Sequence, residues 1–150
     1  MVTTHRKFML AALREARMAA RRGEVPVGAV IVRNGKVLAR GRNEIIARKD
    51  PTAHAEVLAI KKAAARLRNE RLTGCTLYTT LEPCPMCAGA AVLARITEVV
   101  YGARDPRGGA GGSIANILSH PRLNHRCRVT GPIMARTVGN LLRDFFRKRR

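Results

Sequence analysis

His54-Ala55-Glu56 and, further along, Pro83-Cys84-Pro85-Met86-Cys87 set the strictest condition on what this chain can fold into. One imidazole and two thiols are the donors of a zinc site, but only if the fold brings segments 30 residues apart to one point. The donor count narrows the chemistry. A structural zinc is normally closed by four protein ligands, whereas a catalytic zinc keeps three and leaves the fourth position to water. His54, Cys84 and Cys87 supply three. Glu56 stands beside them as a carboxylate suited to moving protons rather than binding metal.

The spacing also predicts where these residues sit. Pro85 suits the first turn of a helix, across which Cys84 and Cys87 can turn both sulfurs to one metal. His54 and Glu56, at i and i+2, diverge in mid-helix but both reach the space in front of a helix tip. The site is therefore expected at two helix N-termini, where free amides and the positive dipole end favour thiolate over thiol. Two other readings compete. A Cys-x-x-Cys pair is also half of a structural zinc knuckle, which needs a fourth ligand from Cys75, Cys127, His120 or His125. It is also a redox pair, which leaves His54-Ala55-Glu56 without a role. The complete pattern favours the catalytic site.

Around it, hydrophobic periodicity predicts alternating elements. Residues 5–22 read as an amphipathic helix ended by Gly23, and 27–32 as a short buried strand. Asn34-Gly35 signals a hairpin turn, with 36–40 returning as the paired strand. A polar loop over 41–50 precedes a helix opening at Pro51 and Thr52 and running to Leu67. Residues 75–80 read as a strand, 85–94 as an Ala-rich helix and 98–101 as another strand. A Gly-rich loop is expected over 102–113, and a weak fifth strand over 126–129. Met134, Val138, Leu141, Leu142 and Phe145 form a last helical stripe. The expected fold is α/β: three α/β/α layers around a mixed five-stranded sheet, residues 1–150 forming one domain.

Composition bounds the partners. Lys and Arg number 29 against 10 Asp and Glu, a net charge of +19 that favours a polyanion, nucleic acid ahead of an anionic membrane. The plainer explanation is a basic, solvated surface. Four cysteines, two of them in the Cys-x-x-Cys pair, do not form a secreted disulfide framework, and thiol ligands point to a reducing compartment. Arg14, Glu15 and Arg17 interrupt the first apolar stretch, so no signal peptide is readable; no run is long enough to span a membrane. An Arg-rich transit segment is not expected, because the first helix belongs to the fold. The expectation is a cytoplasmic protein.

Longer segments carry a resemblance. They are Glu24-Val25-Pro26-Val27-Gly28-Ala29-Val30, Asp50-Pro51-Thr52-Ala53-His54-Ala55-Glu56 and Thr76-Leu77-Tyr78-Thr79-Thr80-Leu81-Glu82-Pro83-Cys84. Met86-Cys87-Ala88-Gly89-Ala90, Gly102-Ala103-Arg104-Asp105 and Asp144-Phe145-Phe146-Arg147 continue it. Over nearly its whole length the chain resembles the bacterial tRNA-specific adenosine deaminases of the cytidine deaminase-like superfamily. His-x-Glu with Pro-Cys-x-x-Cys marks the whole superfamily; the Gly102 and Asp144 segments are more specific to the tRNA branch. The loop Arg107-Gly108-Gly109-Ala110-Gly111-Gly112 is richer in glycine than the family pattern, and residues 44–49 match no fixed pattern.

The resemblance implies hydrolytic deamination of the wobble adenosine (position 34) to inosine in an anticodon loop, the ACG anticodon of an arginine tRNA. It implies one Zn2+ per subunit of a homodimer, held by His54, Cys84 and Cys87, with Glu56 catalytic. Asn43 would hydrogen-bond the target base, the Ala55 backbone N–H would meet its polar edge, and Val27 would wall the pocket. Asp105 would lie near the flanking nucleotides, His120 would touch the RNA, and Arg147, Lys148, Arg149 and Arg150 would form a phosphate-contacting tail. The alternatives are a deaminase of free guanine or cytosine using the same zinc site, and a non-catalytic RNA-binding module stabilised by structural zinc.

Overall fold

Alternation along the central strands assigns each residue to one of two cores. In the computed structural model, which describes residues 2–149, β1 (Gly28–Arg33), β2 (Lys36–Arg42), β3 (Thr76–Leu81), β4 (Glu98–Ala103) and β5 (Arg128–Thr130) form one sheet in the order β2-β1-β3-β4-β5. β1 pairs antiparallel with β2 and β3, while β3, β4 and β5 run parallel. Ala29, Ile31, Leu77 and Val99 face one side, under α3 (Ala55–Leu67) and α4 (Pro85–Leu93). Val30, Val32, Tyr78 and Val100 face the other, under Phe8, Met9 and Ala12 of α1 (Val2–Arg21). Val138 of α5 (Ala135–Arg147) joins Leu13 and Ala103 there. The result is the expected α/β architecture, a mixed five-stranded sheet with helices on both faces. No helix among the described residues is long and apolar enough to cross a membrane.

The predicted elements are all present, with boundaries moved by local chemistry. Asn34 and Gly35 take φ of 52° and 75°, the left-handed pair that a two-residue hairpin turn demands. The expected loop over 41–50 is partly ordered: β2 continues to Arg42, and a short helix, α2 (Ile45–Arg48), follows. Gly102, expected in a loop, lies inside β4, where Thr80 and Val138 leave no room for a side chain. The fifth strand begins at Arg128, two residues later than its apolar pattern suggests. Arg150, the last residue of the basic tail, lies outside the described residues.

Two buried glutamates tie down the loops at the carboxyl end of the parallel strands. The Glu24 carboxylate accepts the N–H groups of Ile46 (3.1 Å) and Ala47 (2.9 Å), capping α2 from a distant segment. Glu82 accepts the N–H groups of Asp105 (3.0 Å), Gly111 (2.9 Å) and Ser113 (3.1 Å), together with the Ser113 hydroxyl. This explains the excess of glycine in that loop. A Cβ on Gly109 would fall 2.3 Å from the Glu82 carboxyl carbon, so the backbone closes around the anion only where side chains are missing. Burial pushes the Glu82 pKa up, but the Ser113 hydroxyl and the three amides outweigh it, leaving the group below its ordinary value.

Glu82→Gln turns an acceptor into a donor facing donors. Thermal unfolding of this variant is expected to show a loss of about 2–3 kcal/mol, or roughly 5–10 °C in Tm. Gly109→Ala should move Tm the same way. An unchanged Tm in both would contradict this role for the carboxylate.

Candidate active site

A turn ahead of α3 decides how His54 is presented. Asp50 Oδ1 accepts the Thr52 N–H (2.8 Å) and hydroxyl (2.7 Å), so the chain turns over residues 50–54 and the helix starts at Ala55. The helix expected to open at Pro51 and Thr52 is thus delayed. His54 becomes its N-cap residue, with extended backbone (φ −78°, ψ 149°). Cys84 holds the same place before α4 (φ −70°, ψ 170°), with Pro85 in the first helical position. Neither side chain caps its own helix, which leaves both free to meet between the two helix starts.

They do meet. His54 Nδ1 lies 3.6 Å from Cys84 Sγ and 3.5 Å from Cys87 Sγ, and the three donor atoms all lie within 4.8 Å of one another. Zinc–sulfur bonds near 2.3 Å and zinc–nitrogen bonds near 2.0–2.1 Å at a tetrahedral angle separate sulfur from nitrogen by about 3.5 Å. The two nitrogen–sulfur separations are those expected between neighbouring corners of a zinc tetrahedron, of which three donors would fill three corners. The residues weighed as a fourth ligand are elsewhere. Cys75 and Cys127 are buried in the apolar core, His125 Nε2 contacts the Ile96 carbonyl at 2.7 Å, and His120 Nδ1 accepts the Arg122 N–H.

The electrostatics match a metal site. Cys84 is lowered to about 5, first by the hydrogen bond from the Cys87 thiol and, against the cost of burial, by the amides of Cys87 and Met86 at the start of α4. Cys87 is raised, because it donates that hydrogen bond and is buried. Glu56, in the first turn of α3, is 3% exposed, and its Oε1 has no hydrogen-bond partner. Burial raises it to about 7, and the neighbouring Cys84 charge adds to the rise while His54 and the Cys87 thiol oppose it. A buried carboxylate oxygen with nothing to bond is held ready for a proton or a polar ligand atom.

In front of these groups is a pocket of about 220 Å³ lined by Val25, Val27, Asn43, Ile45, His54, Glu56, Leu81, Glu82, Cys84 and Asp105. It lies beyond the carboxyl ends of the parallel strands β3 and β4, where open α/β sheets hold their ligands. Val27, Asn43 and Asp105, expected near a substrate, are all there. Asn43 Oδ1 accepts the Ala55 N–H at 2.9 Å, so this amide, expected to meet a base, is bonded to Asn43. That bond fixes the Asn43 side chain with its amide nitrogen left as a donor. His120 does not line the pocket.

Sequence reasoning missed Glu24 and Glu82, which hold the pocket's two flanking loops. The signal was partial: Glu82 is an acid directly after an apolar strand, Glu24 is an acid leading into the apolar run toward β1, and the glycine-rich stretch over residues 108–112 is a backbone cradle that needs an anion from elsewhere.

Comparison with known proteins identifies the family. The family model described as MafB19-like deaminase matches residues 3–150. The tRNA-specific adenosine deaminase of Bacillus subtilis is 46% identical over 149 residues, covering 99% of this chain and 92% of that protein. A solved structure described under A-to-I editing by tRNA:A34 deaminases superposes with a TM-score of 0.87 at 46% identity, covering 91% of this chain and 99% of that one. The guanine deaminase of Bacillus subtilis superposes less completely, with a TM-score of 0.66 at 42% identity over 73% of this chain and 70% of that one. The chain belongs to the MafB19-like deaminases and, among them, to the tRNA-specific adenosine deaminases.

Proposed function

We propose that residues 1–150 act as one zinc-dependent deaminase domain that converts the wobble adenosine of a tRNA anticodon loop to inosine, releasing ammonia. The observation that carries this reading is the convergence of three zinc donors, an unpartnered buried carboxylate and an amide donor on one base-sized pocket. His54, Cys84 and Cys87 would hold one zinc ion. When bound, zinc lowers the pKa of a coordinated water and so supplies a nucleophile at neutral pH.

The chain's own groups do the rest. Glu56 Oε1 takes one proton from water and delivers it to adenine N1 as the water oxygen bonds to C6; it then takes the second proton from the new C6 hydroxyl and passes it to the amino group, whose C6–N bond breaks to release ammonia. Its position behind the pocket and its raised pKa suit a group that must both accept and release a proton near neutrality. The Asn43 side-chain amide donates to the base and orients it, Val27 packs on the ring, and the Ala55 amide holds Asn43 in place. A base must leave its stack to enter such a pocket, which costs less in a loop than in a duplex.

A basic groove supports RNA over a free base. Arg107, Arg143, Phe146, Arg147 and Arg149 line a concavity of about 710 Å³, and Asp105, on the pocket wall, accepts the Arg107 N–H. The groove thus begins at the pocket's rim. A nucleotide chain entering the pocket would run its phosphates along these guanidinium groups, with Asp105 beside the flanking nucleotides; His120, outside the pocket, would touch the RNA only beyond them. From the family resemblance we infer the ACG anticodon of an arginine tRNA as the substrate. A homodimer is proposed on the same ground, supported by Met86 and the 80% exposed Leu93 on α4. The free thiols and a tRNA substrate support a cytoplasmic location.

On an ACG anticodon stem-loop, Glu56→Ala should lower inosine formation by about 10²–10⁴-fold while binding persists, read by single-turnover kinetics beside a binding titration. Full turnover in the variant would remove Glu56 from the mechanism. A screen of free guanine, cytosine and the stem-loop should show deamination of the RNA alone; turnover of guanine without inosine in RNA would overturn the tRNA reading in favour of the free-base alternative.

A further inference from the structure

On α1, one helical face carries a ladder of arginines that the deamination pocket does not use. Arg14, Arg17 and Arg21, at i, i+3 and i+7, are exposed and with Leu10 and Met18 line a shallow concavity of about 580 Å³. Among the described residues, none of the three arginines makes an ion pair or a side-chain hydrogen bond. The one acid on this helix, Glu15, points the other way: it is buried and bonded to Arg42 at 3.2 Å. The ladder's charge is therefore uncompensated by its own helix.

Its place in the fold links it to the active site. Directly after Arg21 the chain turns through Gly23 into Glu24, which caps α2, and then into Val25 and Val27 of the pocket wall. The Arg149 guanidinium, from the four-arginine groove, stacks on Phe145 at 3.7 Å and lies against Gly23. One basic surface thus runs from the pocket rim, across the end of α5, to α1. The ladder itself extends about 10 Å along the helix axis, further than a single flipped nucleotide needs.

We propose that the α1 ladder is a second RNA-docking face, which grips the phosphates of the paired stem adjoining the loop that enters the pocket. This rests on the tRNA reading and adds to it a second point of contact. Arginine is suited to the task, because its planar fork bonds two phosphate oxygens at once and stays charged. A membrane is the poorer fit. Insertion into a lipid interface needs a wide exposed apolar face, and the apolar face of α1 (Phe8, Met9, Leu13, Ala16) is buried against the sheet.

The test compares an ACG-anticodon tRNA transcript with an unpaired oligonucleotide of the same loop sequence. In the triple variant Arg14→Ala, Arg17→Ala, Arg21→Ala, the ratio of kcat/KM for tRNA to kcat/KM for the oligonucleotide should fall about tenfold. The slope of log K against log salt for tRNA should become shallower by about 2–3, because roughly 0.9 is lost per duplex phosphate contact. Replacing all three by lysine should restore most of the slope. Should the alanine variant melt early, Arg17→Glu alone reads the same quantities. An unchanged ratio and slope would overturn the proposal. So would loss of binding to phosphatidylglycerol vesicles with tRNA binding intact, which would make the face a membrane contact. The two readings fail separately: normal deamination with no effect of the ladder refutes only the docking face, and ladder-dependent tRNA binding without any inosine refutes only the deaminase.

Discussion

The aim of two helix starts at one point, with His54 Nδ1 3.5 Å from Cys87 Sγ, is the constraint the rest of the molecule serves. The N-termini of α3 and α4 reach each other because the strands that precede them, β2 and β3, both run antiparallel to β1 and so finish at the same end of the sheet. Small residues of both helices, Ala55 and Ala59 on α3 and Ala88 and Ala91 on α4, are buried in one core, and Ala55 and Ala59 pack tightly on Gly41 of β2. The Cys87 thiol, with the amides at the start of α4, lowers the Cys84 thiol, and burial in the same packing raises the Glu56 carboxyl. Geometry and acidity at the site are two effects of one arrangement.

A chain with few acids uses several of them indoors. Glu15, Glu24, Glu56 and Glu82 are all buried, one pairing with Arg42, one capping α2, one facing the pocket and one closing the glycine loop. The solvent-facing surface is consequently more basic than the composition alone suggests. The excess is also organised, since the arginines of α5, of the loop after Asp105 and of α1 fall on neighbouring surfaces. Buried anions build the pocket and exposed cations surround it, an arrangement that suits an RNA substrate.

The convergence of His54, Cys84 and Cys87, the place of Glu56 beside them and the layer order were readable because each rests on local rules: donor type and spacing, a proline at a helix start, alternation in strands and a 3.6-residue period in helices. Boundaries moved where a side chain overruled the local pattern. Asp50 delayed α3 by taking the Thr52 amide, Glu24 turned part of an expected loop into α2, and packing against Thr80 and Val138 drew Gly102 into β4. The roles of Glu24 and Glu82 are set by residues 22 and 31 positions away, which no local pattern encodes. The Ala55 amide shows the same limit: its position was legible, but its partnership with Asn43 across 12 residues was not.

The central claim is that three protein donors hold zinc and leave one position open to water. X-ray absorption at the zinc edge of the purified protein addresses it directly. The account predicts two sulfurs near 2.3 Å with one nitrogen and one non-protein oxygen near 2.0–2.1 Å. A shell closed by four protein donors, or a protein that takes up no zinc, would contradict it.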